Sequence, residues 1–215
     1  GRTEVIEALC GVTRPDSGEV YLNGLQVQFR SPHDSLKGGI GLLPEDRQKQ
    51  GLLLPWSIAD NITLPELKRY RVRGLLSNLS IRRTADASIA QLSIKARSAG
   101  DKAESLSGGN QQKVVLSKLL DSNARVMIMD EPTKGVDVGS KAAIYQIMCA
   151  LAEKGFGILL VSSEMPEVIN MCDRAVVMRQ GRVSAVIDKA DYTPEGILLA
   201  GIPLGCLAAY HRGKA

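Results

Sequence analysis

Leu106-Ser107-Gly108-Gly109-Asn110-Gln111-Gln112-Lys113 opens the stretch around which this chain is read. Val126-Met127-Ile128-Met129-Asp130-Glu131-Pro132, followed by Gly135-Val136-Asp137, closes it. The first half reads as a glycine turn feeding a helix. Ser107 is placed to cap it, Gly108 and Gly109 let backbone approach backbone, and an amphipathic run continues through Leu116, Leu119 and Leu120. Bare N–H groups at a helix start, with no Cβ in the way, make an anion site. The second half reads as an apolar strand carrying two adjacent carboxylates to its C-terminal end, where ligands bind in an open parallel sheet. Asp130 can hold a magnesium ion, directly or through water, and Glu131 can orient or deprotonate a water. Alone, each half is an ordinary turn or helix start; their order and closeness give them chemistry.

Bulk properties exclude several classes. A chain of 215 residues with 44% hydrophobic content can bury a core in one or two lobes. The formal charge of +4 is mild and reads as a solvated surface rather than a nucleic-acid footprint. Cys10, Cys149, Cys172 and Cys206 have no paired spacing, which suits reduced thiols and neither a disulfide framework nor a metal site. His33 and His211 sit in no ligand-like cluster. The longest apolar stretch, Gly196 to Tyr210, is broken by Gly201, Pro203 and Gly205 and is too short to cross a bilayer. Membrane association is therefore expected through a partner.

Gly1-Arg2-Thr3 leads into an apolar helical stripe of Val5, Ile6, Leu9 and Cys10, with Gly11 placed to end it. Glu19–Leu22, the Asn23-Gly24 turn and Leu25–Phe29 read as a hairpin. Ser31–Lys37 reads as a short helix and Gly39–Leu43 as a strand, followed by Pro44-Glu45-Asp46-Arg47. Helices are expected over Ser57–Leu64 and Ser80–Arg97, the second with Ile89, Leu92 and Ile94 as apolar positions and Arg82 and Arg83 facing solvent. Ile144, Ile147, Met148 and Leu151 recur at helical spacing and read as core, ahead of a buried strand Ile158–Val161. Strand and helix thus alternate, the pattern of an α/β core. Arg174–Met178 and Arg182–Ile187 form a closing hairpin about Gln180-Gly181, and Thr193-Pro194-Glu195 starts a short helix.

The closing stretches Leu106–Lys113 and Val126–Asp137 resemble the signature motif, Walker B and D-loop of the ATP-binding cassette (ABC) ATPases. Gly1-Arg2-Thr3 resembles the end of a Walker A loop, with Thr3 in the hydroxyl position and Arg2 where Lys is expected. Guanidinium is a wide planar fork and ammonium a compact point charge, so the exchange changes how charge is placed at the phosphates. Glu45 stands where the family has a magnesium-contacting Gln, and Ser163 where it has a His at the γ-phosphate. The tail of that last motif, Glu167-Val168 and Cys172-Asp173-Arg174, is shared. The chain opens on Gly1 in mid-motif, so it is expected to be a piece of something longer.

The resemblance covers residues 1 to 200 and implies an α/β fold: a P-loop NTPase (RecA-like) core, N-terminally truncated, with a mainly parallel sheet, a small antiparallel β subdomain and a helical signature subdomain at about 56–120. Residues 201–215 are expected to be a poorly ordered tail. The particular variants, taken together, resemble the second, C-terminal cassette of the duplicated ATPase subunits of bacterial monosaccharide importers (ribose, xylose, arabinose and galactose type). That resemblance implies ATP and Mg2+ as ligands, with Gly1, Arg2, Thr3, Glu45 and Asp130 at the nucleotide and Thr3, Glu45 and Asp130 at the metal. It implies Glu131 and Ser163 in the catalytic positions, Leu106, Ser107, Gly108, Gly109, Asn110 and Gln111 as the signature, and Asp137 in the D-loop. The partners implied are a first cassette or second copy paired head to tail, a transmembrane permease touching the 51–55 and 98–104 loops, and indirectly a periplasmic sugar-binding protein. The location implied is the cytoplasmic face of the inner membrane, with no nucleic-acid partner. Divided labour is expected, with an intact signature completing the partner's site and a degenerate Walker site of its own. The alternatives are a fully active cassette, or a non-transport ABC protein on nucleic acid or ribosomes; the latter usually carries long insertions or basic arms that this chain lacks.

Overall fold

The computed structural model describes residues 1–192 and the backbone of 206–210. The chain divides into two compact units, one of Gly1–Leu42, Asn123–Glu131 and Met148–Ala215, the other of Leu43–Ser122 and Pro132–Ile147.

The first unit is built on a six-stranded sheet. Its strands are β3 (Ile40–Leu43), β6 (Val126–Asp130), β7 (Gly157–Ser162), β8 (Arg174–Arg179), β9 (Arg182–Asp188) and β10 (Cys206–Tyr210), in the order β3-β6-β7-β10-β8-β9. β6 and β7 pair in parallel, with Asp130 opposite Val161. β10 runs antiparallel to both β7 and β8, so β6, β7 and β8 share one direction. α1 (Arg2–Leu9) packs on this sheet through Ile6 and Cys10, which cluster with Ile40, Ile128, Val161 and Met178. Burial of each such aliphatic side chain contributes about 1.5–3 kcal/mol. Burial also pushes the Cys10 thiol up to about 12, which keeps it protonated and inert at neutral pH. α1 ends where Gly11 takes φ +70°; a Cβ there would stand 2.8 Å from the Ser31 nitrogen, so glycine serves both the turn and the close approach. The hairpin β1 (Val20–Leu22) to β2 (Leu25–Val27) turns through Asn23 and Gly24, both at positive φ, as a two-residue hairpin requires. Ser31 caps α2 (Pro32–Lys37) by accepting the Asp34 N–H, with Pro at the start.

Within the stretch expected as a tail, the backbone of residues 206–210 forms β10 and hydrogen-bonds on both sides, between β7 and β8. Cys206-Leu-Ala-Ala-Tyr210 is a short apolar run without Gly or Pro, able to serve as a buried strand. The helix expected at Thr193–Glu195 lies outside the described residues.

The second unit is mainly helical. α3 (Ile58–Thr63), α4 (Asn78–Gln91) and α5 (Gly108–Asp121) pack together through Ile58, Ile62, Ile81, Ala85, Val115 and Leu116, all buried. α3 is capped by Ser57, which accepts the Asp60 N–H. Asn61, fully buried, accepts from the Leu53 N–H and donates to the carbonyls of Leu53 and Ser57, fixing the 53–57 loop. α4 is shorter than Ser80–Arg97. It closes because Ser93 enters the left-handed region at φ +50° and the Ile94 N–H turns back to the Ile89 carbonyl. Leu92 and Ile94 are buried as expected, from beyond the helix end. A further hairpin, β4 (Arg71–Val72) with β5 (Leu75–Leu76), turns through Arg73 and Gly74. α6 (Val138–Glu153) begins in this unit and continues into the first, where α7 (Met165–Met171) follows β7. Among the described residues no helix is long and apolar enough to cross a membrane.

Candidate functional site

The chemistry-bearing residues of the first unit gather at the C-terminal ends of β6 and β7. β6 is apolar and buried through Met127, Ile128 and Met129, and delivers Asp130 and then Glu131. Glu131 leaves the sheet at φ +46°, an uncommon conformation for a side chain of its size, while its N–H stays bonded to the Val161 carbonyl at 2.8 Å. Held backbone outliers of this kind concentrate at functional sites. Glu131 is buried at 9% exposure, and Arg2 reaches it from the first turn of α1, Nη1 to Oε1 at 3.4 Å. Arg2 and Glu131, for which the sequence resemblance implied the Lys and water-activating positions, are therefore in contact with each other.

Gly1 and Thr3 are exposed at the start of α1, where the Glu4 carboxylate accepts from the Gly1 amino group. Ser163, just beyond β7, is exposed; its neighbour Ser162 is buried and accepts the Glu164 N–H at 3.0 Å. Among the described residues no cluster of three or more His, Cys, Asp or Glu could hold a metal alone. Asp130 and the Thr3 hydroxyl are groups that could hold a magnesium ion taking its other ligands from phosphate and water.

In the second unit, Glu45 is engaged by Lys134, Nζ to Oε1 at 2.5 Å. α5 begins at Gly108. Ser107 occupies the N-cap position with extended backbone, but its side chain makes no cap bond, contrary to the sequence reading. Asn110 takes up the Ser107 hydroxyl instead, donating Nδ2–H to Oγ at 2.8 Å, while its Oδ1 accepts the Lys95 N–H at 2.9 Å. Ser107 stays exposed, Leu106 is buried, and Gln111 is buried with its amide donating to the Ala103 carbonyl at 3.2 Å. Gly109 is the tightest glycine here: a Cβ would stand 2.2 Å from Ser140 Oγ.

Asp137 caps α6. It accepts the Ser140 N–H at 3.0 Å and the Ser140 hydroxyl at 2.7 Å, and these bonds hold its carboxyl below the usual range. A lowered folded-state pKa means the cap contributes fully above the ordinary carboxylate pKa and is lost as pH falls through the lowered value. Acid titration followed by exchange of the Ser140 amide should show protection lost only below the ordinary Asp range, and Asp137→Ala should lose it at every pH.

Arg47, Lys134 and Ser140 were not among the residues singled out from sequence. They act through contacts to segments far away in the chain, which no local spacing announces.

Solved structures share this fold. A nucleotide-free ATP-binding cassette from an ABC transporter aligns with TM-score 0.77 at 21% identity, covering 93% of this chain and 83% of its own. A cassette dimer in a post-hydrolysis state with ADP and Pi aligns at TM-score 0.71 and 21% identity, covering 88% and 81%. The fold is that of a P-loop NTPase cassette. Residues 1–134 match the family described as ABC transporter, and the chain belongs to that family. Among curated relatives, the ribose import ATP-binding protein RbsA of Roseobacter denitrificans is 45% identical over 198 residues, 92% of this chain and 39% of its own length. The RbsA of Bacillus subtilis is 43% identical over 92% of the chain and 40% of its own length. The arabinose import ATP-binding protein AraG 2 of Burkholderia thailandensis is 43% identical over 94% and 39%. The chain thus spans about two fifths of the length of these relatives.

Proposed function

We propose that this chain is the second nucleotide-binding cassette of a monosaccharide-import ATPase subunit, lying at the cytoplasmic face of the inner membrane beside a permease served by a sugar-binding protein. Its signature, Ser107 to Gln111, completes the ATP site of the opposite cassette. Its own site, on Gly1, Arg2, Thr3, Glu45, Asp130 and Glu131 with Ser163 for the His, binds ATP and Mg2+ and hydrolyses slowly. The names of the relatives support the importer class. The observation that carries the slow site is the Arg2–Glu131 pair. A guanidinium in contact with that carboxylate offers less of its charge to phosphate and competes with water for the base.

The test is steady-state ATPase activity of the full subunit assembled with its permease. Glu131→Gln keeps the shape and removes the base. Activity within about twofold of the unmodified protein is expected, because the chemistry belongs to the other cassette's site. A collapse of the order of 10²-fold, the scale of losing a general base, would mean that both sites turn over and Arg2 is tolerated.

A further inference from the structure

We infer that Arg47 is a positioning residue that holds the signature turn and the Thr133–Asp137 segment in one frame; the inference rests on the composite site proposed above. Arg47 opens a π-helical turn, Arg47–Gly51. Asp46 starts the turn by accepting the N–H groups of Gln48 and Lys49, at 3.2 and 3.1 Å. Such turns are rare and gather at functional sites. This one is tied to α5 at two places, two helical turns apart. Gln48 donates to the Gln111 side chain at 3.1 Å, and Lys118 Nζ donates to the Gly51 carbonyl at 3.0 Å. Gly51 lets the turn sit close, since a Cβ there would stand 3.0 Å from Val115 Cγ2.

From this anchored base the guanidinium reaches across. Nη1 donates to the Lys134 carbonyl at 3.2 Å and Nη2 lies 3.5 Å from the Gly135 carbonyl. The same group covers Gly108, where a Cβ would meet Nη2 at 2.5 Å. Its Nε–H is buried without a partner, a cost that a residue serving packing alone has no reason to carry. A planar fork holds two successive carbonyls in one fixed geometry beside a glycine, whereas a lysine ammonium on its flexible stem does not fix their relative position. The Glu45–Lys134 pair is a second tie along the same line. Gly108 already lies close to the Gly135 carbonyl, 3.4 Å from where its Cβ would stand, and the guanidinium braces that approach; displacing either segment by about 1 Å is enough to cost a composite site of the order of 10² in rate.

The test is amide hydrogen exchange on the full subunit. In Arg47→Ala, the Gln111 and Val136 amides, which bond to the Ser107 and Thr133 carbonyls, should exchange at least tenfold faster, together, while those of 114–120 in α5 keep their rates. Arg47→Lys should recover part of the loss. In the assembled transporter, kcat should fall tenfold or more with KM for ATP unchanged. Unchanged exchange in either segment would overturn the inference, as would lost protection throughout α5, which would make Arg47 a general packing residue. The expected exchange pattern in a subunit whose unmodified transporter hydrolyses no ATP would fault the functional reading and leave the positioning role standing.

Discussion

Gly109→Ala is expected to destabilise the protein by about 1–3 kcal/mol, the usual cost of overpacking, and Ser140→Gly in the same chain should recover most of it. Gly109 is buried one residue into α5. The new methyl would lie 2.2 Å from Ser140 Oγ and 2.4 Å from Ser140 Cβ, with the Ser140 Cα at 3.8 Å. The backbone has room; the side chain does not. Nor can Ser140 simply rotate away, because its hydroxyl is donated to Asp137 Oδ2 at 2.7 Å. The alanine therefore has to break the α6 cap or push the helix starts apart. Alanine's better helix propensity, at most about 1 kcal/mol in a helix interior and less in the first turn, offsets this in part. Thermal unfolding of the two single variants and the double gives a coupling that should favour the double by 0.5 kcal/mol or more. A Gly109→Ala protein as stable as its parent, or a double variant with no recovery, would show that the contact relaxes freely.

Much of this arrangement was legible because local chemistry announces it. Asn23-Gly24 and Gln180-Gly181 turn as read, each pair at positive φ. β6 could be read as buried from its apolar run and its end from Asp130-Glu131. The Arg73-Gly74 hairpin was not legible: each strand is two residues long, Leu75 is 78% exposed, and arginine is not a residue that advertises φ +51°. α4 was overextended because Leu92 and Ile94 keep the helical spacing after Ser93 has left the helix. At the site, sequence could name Gly108 and Gly109 alike as close-approach glycines, yet their surroundings differ. Gly108 faces the far end of a flexible arginine, and Gly109 faces a hydroxyl held in place. Likewise Glu45 and Arg47 could be placed on a turn, but their partners Lys134 and Gly135 come from almost ninety residues later, through pairing that only the fold reveals.

Transport should fall by 10²-fold or more in Gly108→Asp, the scale on which removing a preorganised anion site acts, and far less in Arg2→Ala. An aspartate at the first position of α5 suits the helix dipole and would lie against Arg47, so the protein should fold with α5 intact. On the function proposed above, what it removes is the anion site of the signature turn, where the added carboxylate would repel a phosphate. Arg2 stands in a different position. Its charge is already committed to Glu131, so its loss removes little from phosphate binding. It does leave a carboxylate only 10% exposed without its partner, a cost in stability that a melting curve separates from a cost in transport. Arg2→Lys sharpens the comparison. Ammonium reaches a phosphate without the width of the guanidinium, so if Arg2 restrains this site, the lysine variant should hydrolyse faster than the parent. Equal losses in Gly108→Asp and Arg2→Ala would put both sites on the transport cycle. The Arg2–Glu131 pair would then be a resting contact that nucleotide displaces.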